Sequence, residues 1–387
     1  MSPIVRTYRE QIRPSDFDRL AAIIADGGIA ITPTDTVYGL IGKAFDSKVF
    51  ERLDTIKGER RLPYSVAFSG VGELDDWYGG IGIRARRLAS TLLPGPVTFL
   101  LQPNGVTPTE FRHRNAGFGV RVSSDSILPE LARRIETPIW ATSANRSGDP
   151  APGDFRSISR GLIQSVDIAF DAGPTTYRDA SSVVDLRTGL FRIMRAGPWE
   201  KRIETALERS LDPLRVVTIC SGNTCRSPIA ASLLDRELLD LPKRVVVSSA
   251  GLDALPDLPA SREMVQIGSN WGLDLSEHKA QQASIELFRR TDIILAASPQ
   301  HRDRIIQIEP RAKWKTFLMA EPLGSDSIPD PYQFGDEQYL LIAEMIRRAM
   351  RGWAERIRNI IQNEFDVSRE STMHEPPAVS APVEPTE

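Results

Sequence analysis

The 387-residue chain carries 48 Lys and Arg against 51 Asp and Glu, with 41% hydrophobic and 26% charged residues, which predicts two or three ordinary globular domains. A formal net charge of -3 argues against a strongly basic nucleic-acid binder, though not against a local basic patch. Two cysteines cannot build a disulfide framework, the N-terminal stretch lacks a signal peptide's apolar core, and no apolar run nears the ~18 residues of a membrane span, so a reducing cytoplasm and no membrane are expected.

In chain order, a strand over 28–32 runs into Pro33-Thr34-Asp35-Thr36. A helix over 49–57 follows, with Val49, Phe50, Leu53 and Ile56 on one face. Strands are expected at 64–68, 97–101, 120–122, 139–141 and 182–186, and helices at 84–92 and 127–135. This irregular order reads as a mixed α/β domain over 1–200. The charged amphipathic stretch 199–209 then meets Leu211-Asp212-Pro213-Leu214, so 201–214 reads as a linker. Beyond it, strands 216–219, 245–249, 292–296 and 316–319 alternate with helices 229–238, 262–267, 300–308 and 338–362. Such alternation predicts a parallel sheet with helices on both faces over 215–365. No repeat of about 20–50 residues is visible, which excludes a solenoid. Residues 366–387 hold four prolines, five acidic residues and one Arg, the composition of a disordered acidic tail.

Both cysteines fall in one nonamer, Cys220-Ser221-Gly222-Asn223-Thr224-Cys225-Arg226-Ser227-Pro228, between an apolar strand and a helix. A strand–loop–helix unit aims several backbone N–H groups at one point, where the helix dipole also favours negative charge. Gly222 lets the backbone come close to a phosphoryl group, and Arg226 folds back to pair two of its oxygens. The electropositive loop favours the Cys220 thiolate as nucleophile, with the Ser227 hydroxyl as a further support. A poor leaving group needs a proton, and Asp330, between two prolines in Ile328-Pro329-Asp330-Pro331-Tyr332, is the candidate acid. Two cysteines are also half a metal site, but the four His residues are scattered and no metal is expected.

The nonamer, the Asp-Pro-Tyr segment, Ser249-Ala250-Gly251 and Leu275-Ser276-Glu277-His278 together resemble low-molecular-weight protein tyrosine phosphatases over about 215–365. The resemblance implies a four-stranded parallel sheet and a phosphoprotein substrate. It also implies Cys220 as nucleophile, Arg226 as phosphate clamp, Asn223 and Ser227 as loop supports, and Asp330 as acid and then base. Cys225 stands where the family carries its second loop cysteine, able to form a reversible disulfide with Cys220. Ser221, Gly222 and Thr224 complete the loop. Thr224 occupies a position usually bulky and aliphatic in tyrosine-directed members, whereas the protein-arginine phosphatase branch resembles this chain there. Phosphotyrosine and phosphoarginine both stay open.

The first domain carries its own ordered series: Thr34-Asp35-Thr36-Val37-Tyr38-Gly39, Lys57-Gly58, Pro94-Gly95-Pro96-Val97-Thr98, Gly119-Val120-Arg121-Val122, Thr142-Ser143-Ala144-Asn145, Ser181-Ser182-Val183 and Met194-Arg195-Ala196-Gly197. This series resembles YrdC-like threonylcarbamoyl-adenylate synthases. The resemblance implies condensation of threonine, bicarbonate and ATP with Mg²⁺, for a tRNA adenosine modification. Lys57, Ser143, Asn145 and Arg195 would hold ATP, and Thr36, Arg121 and Ser181 would hold threonine. The implied partners are tRNA, by double-stranded RNA binding, or tRNA-modification proteins. The chain departs from the pattern at Glu59, Pro63, Gly117 and Ala151. Two readings therefore stay open: an active synthase, making the chain bifunctional, or a non-catalytic nucleotide- or RNA-binding module. Arg84/Arg86/Arg87, Arg112/Arg114 and Arg133/Arg134 read as solvated faces, with tRNA contact as the alternative.

Overall fold

The structure, a computed structural model, describes residues 4–7, 12–58, 64–74, 81–102, 111, 118–187, 191–241, 244–332 and 334–365. Glu59, Pro63, Arg112, Arg114, Gly117 and the stretch 366–387 lie outside the described residues.

The first part of the chain builds one ten-stranded mixed sheet. Its strands are β1 (Ile4–Thr7), β2 (Ile29–Thr32), β3 (Gly39–Lys43), β4 (Ser65–Ala67), β5 (Val97–Leu101), β6 (Phe118–Arg121), β7 (Ile139–Ser143), β8 (Ile168–Asp171), β9 (Ser182–Asp185) and β10 (Arg192–Arg195). They lie in the order β1-β8-β2-β3-β7-β4-β6-β5-β9-β10. Helices α1 (Pro14–Ala25), α2 (Ser47–Lys57), α3 (Ile83–Leu92), α4 (Ile127–Arg134), α5 (Arg160–Gln164) and α6 (Glu200–Arg209) accompany it. The period-two rule of a strand divides β2 between two cores. Ile29 and Ile31 join a cluster with Phe50, Phe99 and Trp140, while Ala30 joins one with Leu20, Ile24 and Leu131. Apolar residues on both faces of β2 are what a sheet covered on both sides requires.

The second part is a four-stranded, all-parallel sheet in the order β12-β11-β13-β14, formed by β11 (Leu214–Cys220), β12 (Val245–Gly251), β13 (Ile293–Ala296) and β14 (Thr316–Leu318). Helices α7 (Arg226–Glu237), α8 (Arg262–Asn270), α9 (Ile285–Arg290), α10 (Pro299–Ile308) and α11 (Asp336–Ile360) accompany the strands. Val216 and Leu295 pack with Leu233, Ile346 and Trp353 on one face, and Ile219 and Ile294 with Phe288 and Ile305 on the other. The strand order reverses beside β11. In parallel sheets ligands bind outside the carboxyl ends of the strands at such a reversal, and Cys220 ends β11 there.

The stretch expected to link the two parts is packed over its helical portion. Ile203 and Ala206 of α6 are buried in the first part's core. The two parts also touch through α3, where the solvated reading and the tRNA reading of its arginines are both corrected. Arg84 donates to the Glu364 carbonyl and Arg86 to the Trp314 carbonyl at 2.6 Å. Arg87 forms an ion pair with Asp292 at 2.6 Å. Ile83, the first residue of the helix, is buried in the second part's core. The sequence shows three cations on a helix but not that a second sheet lies against them. By contrast, Arg133 and Arg134 sit on an exposed face beside Glu130 and Asp18. Among the described residues no helix is long and apolar enough to cross a membrane.

Candidate active sites

The cysteine loop leaves β11 at Cys220 and enters α7 at Arg226, as a strand–loop–helix unit should. Asn223 adopts a left-handed conformation (φ 55°) that lets the loop close into a cup. Its side chain then braces the cup. Asn223 Nδ2 donates to Ser227 Oγ and to Ser249 Oγ, both at 2.9 Å, and Oδ1 accepts from the Gln281 N–H at 2.8 Å. His278 Nε2 lies 2.7 Å from the Asn223 carbonyl, and Ser227 Oγ lies 3.0 Å from Cys220 Sγ. The hydroxyl is therefore within reach of the Cys220 sulfur and is itself fixed by an amide.

Arg226, only 6% exposed in its side chain, spans the mouth of the cup. It pairs with Asp330 Oδ2 at 2.5 Å and donates to the Ile328 carbonyl at 3.2 Å. Asp330 is half exposed, and its other oxygen accepts from the Tyr332 N–H. Cys220 and Cys225 are both buried free thiols. Thr224 Oγ1 stands 3.7 Å from Cys225 Sγ. The structure thus gathers Cys220, Asn223, Arg226, Ser227 and Asp330 around one point.

Two groups at this site escape sequence reasoning. His301, on α10, lies between Ser298 Oγ (2.7 Å from Nδ1) and Ser221 Oγ (3.0 Å from Nε2), and Ser221 Oγ also receives a long contact of 3.4 Å from Arg226. Burial, and then the charge of Arg226, holds His301 below its ordinary value. Tyr339, on α11, packs beside Cys225; burial and that sulfur push its phenol up. Neither carries a local signal, because each reaches the loop from a separate helix.

The second candidate site is a cleft of about 310 Å³ in the first part. Thr36, Arg121, Ser143, Asn145, Ser181 and Arg195 line it, bringing six of the seven expected residues together. Lys57 is the exception. It is buried, and its ammonium donates to the carbonyls of Ser143 (2.8 Å) and Asn145 (2.6 Å) and to Asn145 Oδ1 (3.0 Å), so it fastens the loop behind the wall. Arg195 donates to the Ser181 carbonyl at 2.7 Å, and Thr98 and Ser181 hydroxyls meet at 2.9 Å. Ala151 stands on the wall without a hydroxyl.

Arg121 is oriented by Asp35, an ion pair at 2.5 Å with both side chains buried. Burial pushes the Asp35 carboxyl up, but Arg121, Ser124 and Ser123 outweigh it and hold the group below its usual range. In the sequence Asp35 stands out only as part of the Thr34-Asp35-Thr36 segment; its ionic role depends on β6 arriving beside it. Among the described residues no group of three or more His, Cys, Asp or Glu could hold a metal ion.

Residues 22–197 match the Sua5/YciO/YrdC family model, described as telomere recombination, and residues 215–363 match low molecular weight phosphotyrosine protein phosphatase. The chain is 33% identical over 142 residues to the low molecular weight protein-tyrosine-phosphatase Etp of Escherichia coli (strain K12), covering 37% of this chain and 93% of Etp. It is 36% identical over 143 residues to the probable phosphatase EpsP of Ralstonia nicotianae, covering 37% of this chain and 95% of that protein. A solved structure of the YwlE arginine phosphatase from Geobacillus stearothermophilus shares 32% identity, covering 39% of this chain and 96% of that one, with a TM-score of 0.36.

Proposed function

Because the chain belongs to the low-molecular-weight protein tyrosine phosphatase family over 215–363 and carries a Sua5/YciO/YrdC domain over 22–197, we propose that it is a bifunctional enzyme. Its second domain hydrolyses phosphoproteins through a cysteinyl phosphate, and its first makes threonylcarbamoyl-AMP from threonine, bicarbonate and ATP.

The observation that carries the phosphatase reading is the chain Cys220–Ser227–Asn223 at the carboxyl end of β11, capped by Arg226 and Asp330. In the proposed reaction the Cys220 thiolate attacks phosphorus, and the bond to the leaving group breaks as Asp330 gives that group its proton. Water then attacks the cysteinyl phosphate as Asp330 takes its proton, the S–P bond breaks, phosphate is released and the Cys220 thiolate is regenerated. Arg226 exchanges Asp330 for phosphoryl oxygens as substrate enters. Among the described residues its buried Nε has no acceptor, a costly state that an anion at the cup relieves. Phosphotyrosine and phosphoarginine are both within this chemistry; the Thr224 hydroxyl at the loop favours the more polar guanidinium. Replacing Cys220 by Ser should abolish hydrolysis of a phenyl phosphate while keeping phosphate affinity. Retained turnover would show the covalent mechanism to be wrong.

For the first domain the supporting observation is a hydroxyl- and arginine-lined cleft, with cations for two anions and no nucleophile required. Ser143, Asn145 and Arg195 would face ATP, Lys57 would act by fastening their loop, and Thr36, Arg121 and Ser181 would take threonine. Mg²⁺ would arrive on the ATP phosphates, as it does where few carboxylates are offered. The test is pyrophosphate release that needs ATP, bicarbonate and threonine together. Binding of ATP without release would instead support the non-catalytic reading, for which Ala151 on the cleft wall speaks. tRNA or a tRNA-modifying protein is the proposed acceptor of the product.

A further inference from the structure

A second set of cations lies at the opposite pole of the phosphatase sheet. Arg215 is the second residue of β11, Arg290 ends α9 just before β13, and Lys315 immediately precedes β14. These are the amino ends of the strands, whereas Cys220 closes the carboxyl end of β11, five residues or ~17 Å away. From the other domain, Arg86 on α3 and Arg209 at the end of α6 face the same space. Together they line a cleft of 240 Å³ between the two domains, with Trp314 as its aromatic wall. None of its lining residues lines the first-domain cleft, and none belongs to the cysteine loop.

The charge accounting of this cleft is one-sided. Two carboxylates line it, Asp212 and Asp292, and Asp292 is already paired with Arg87. Arg289 on the rim is paired with Glu309. The guanidiniums of Arg209, Arg215 and Arg290 make no hydrogen bond or ion pair among the described residues. Lys315 is buried, its ammonium held by the carbonyls of Thr291 (2.6 Å) and Arg289 (3.3 Å), and burial lowers its value to about 8. The indole N–H of Trp314 is buried with no acceptor among the described residues. Arg209, Arg215 and Arg290 are exposed and reach the cleft from its solvent side; like charges gathered in a concave space repel one another unless a counter-ion joins them, and an unpaired buried donor calls for an acceptor.

We propose that this interdomain cleft binds a small phosphate anion, orthophosphate or pyrophosphate, at a site separate from both candidate active sites. Phosphate oxygens suit the planar forks of Arg209, Arg215 and Arg290. The volume lies below the roughly 300–1,000 Å³ of pockets for drug-sized ligands, which favours an inorganic anion over a whole nucleotide. Both anions have a source in the proposed reactions, since one domain expels pyrophosphate and the other releases phosphate. The site itself stands on the cleft and its cations, and survives if either activity is absent.

The test is calorimetric titration of the full chain with inorganic pyrophosphate and, separately, with orthophosphate, at low ionic strength. The Arg215→Gln/Arg290→Gln double variant should bind one fewer anion per chain, or bind it at least about tenfold more weakly, while hydrolysis of a phenyl phosphate is unchanged. Tighter pyrophosphate would mark the first domain's product as the ligand, and tighter orthophosphate the second's. Identical isotherms for the full chain and the variant would overturn the proposal. Should the double variant fold poorly, Arg209→Gln, at an exposed helix end, replaces it; unchanged binding there overturns the proposal equally.

Discussion

At the scale of single residues, the Arg226–Asp330 pair at 2.5 Å makes an unusual prediction. In the proposed reaction the acid form of Asp330 protonates the leaving group, while its carboxylate form competes with the phosphoryl group for the same guanidinium. Asp330→Asn should therefore slow turnover of poor leaving groups by about a hundredfold, within the usual range for a lost general acid. It should at the same time tighten inhibition by phosphate, because the competing charge is gone. Weaker phosphate inhibition in this variant would mean that the pair does not gate the cup. His301 gives a second prediction. Its lowered value means that protonation is disfavoured in the fold, so it contributes stability that is fully present above 6.5 and lost as pH falls through its folded value. Arg226, Asp330, Asp253 and Arg304 are the charges that face it. His301→Gln should flatten the loss of thermal stability below pH 6.5, and an unchanged profile would remove His301 as its source. Cys220 and Arg226 are legible in the sequence because one loop contains both. His301 and Asp35 are not, because their partners Ser221 and Arg121 are about 80–90 residues distant along the chain.

At the scale of elements, the strongly patterned segments are readable and the short or unpatterned ones are not. Strand β11 is buried on both faces from Val216 to Cys220, and α11 repeats Tyr339, Ile342, Ile346 and Trp353 on one face. Strand β3 (Gly39–Lys43) is not among the strands expected from the sequence, because two of its five residues are glycines of low strand propensity. Gly42 is needed there: a Cβ would come within 2.5 Å of Val49. Strand β10 is mostly exposed at the sheet edge and has no apolar alternation to find. The end of β12 shows how an element shapes the site. A Cβ on Gly251 would lie 2.4 Å from the Ser221 carbonyl oxygen and 2.8 Å from the Asn223 N–H, against the back of the cysteine loop. Gly251→Ala should cost about 1–3 kcal/mol of stability by overpacking. Its larger effect should be on turnover, since the displaced atoms belong to the cup. Normal phenyl phosphate hydrolysis by this variant would show that the loop tolerates the shift.

At the scale of the whole molecule, two families' folds are joined by more than a covalent link. Arg87 of the first domain uses all five of its donors. Two go to the carboxylate of Asp292 (2.8 and 2.6 Å), and three to the carbonyls of Ser210, Asp212 and Pro213. Asp292 also accepts from the N–H of Arg215, at the start of the strand that ends in Cys220. At the far end of α3, Glu364 accepts from the Arg84 N–H at 3.0 Å, so the second domain's C-terminal turn caps a first-domain helix. These contacts predict that the domains unfold as a coupled unit. Arg87→Ala leaves Asp292, 8% exposed, as a buried carboxylate stripped of its cation, a loss of about 3–5 kcal/mol. Calorimetry of the full chain should then show one transition separating into two, with the phosphatase half melting first. Arg87→Lys restores charge but not the fork, and a single ammonium cannot reach the five acceptors, so it should recover less than half of the loss. A full chain that melts identically with Ala at 87 would mean that the helix rests against the second sheet without holding it.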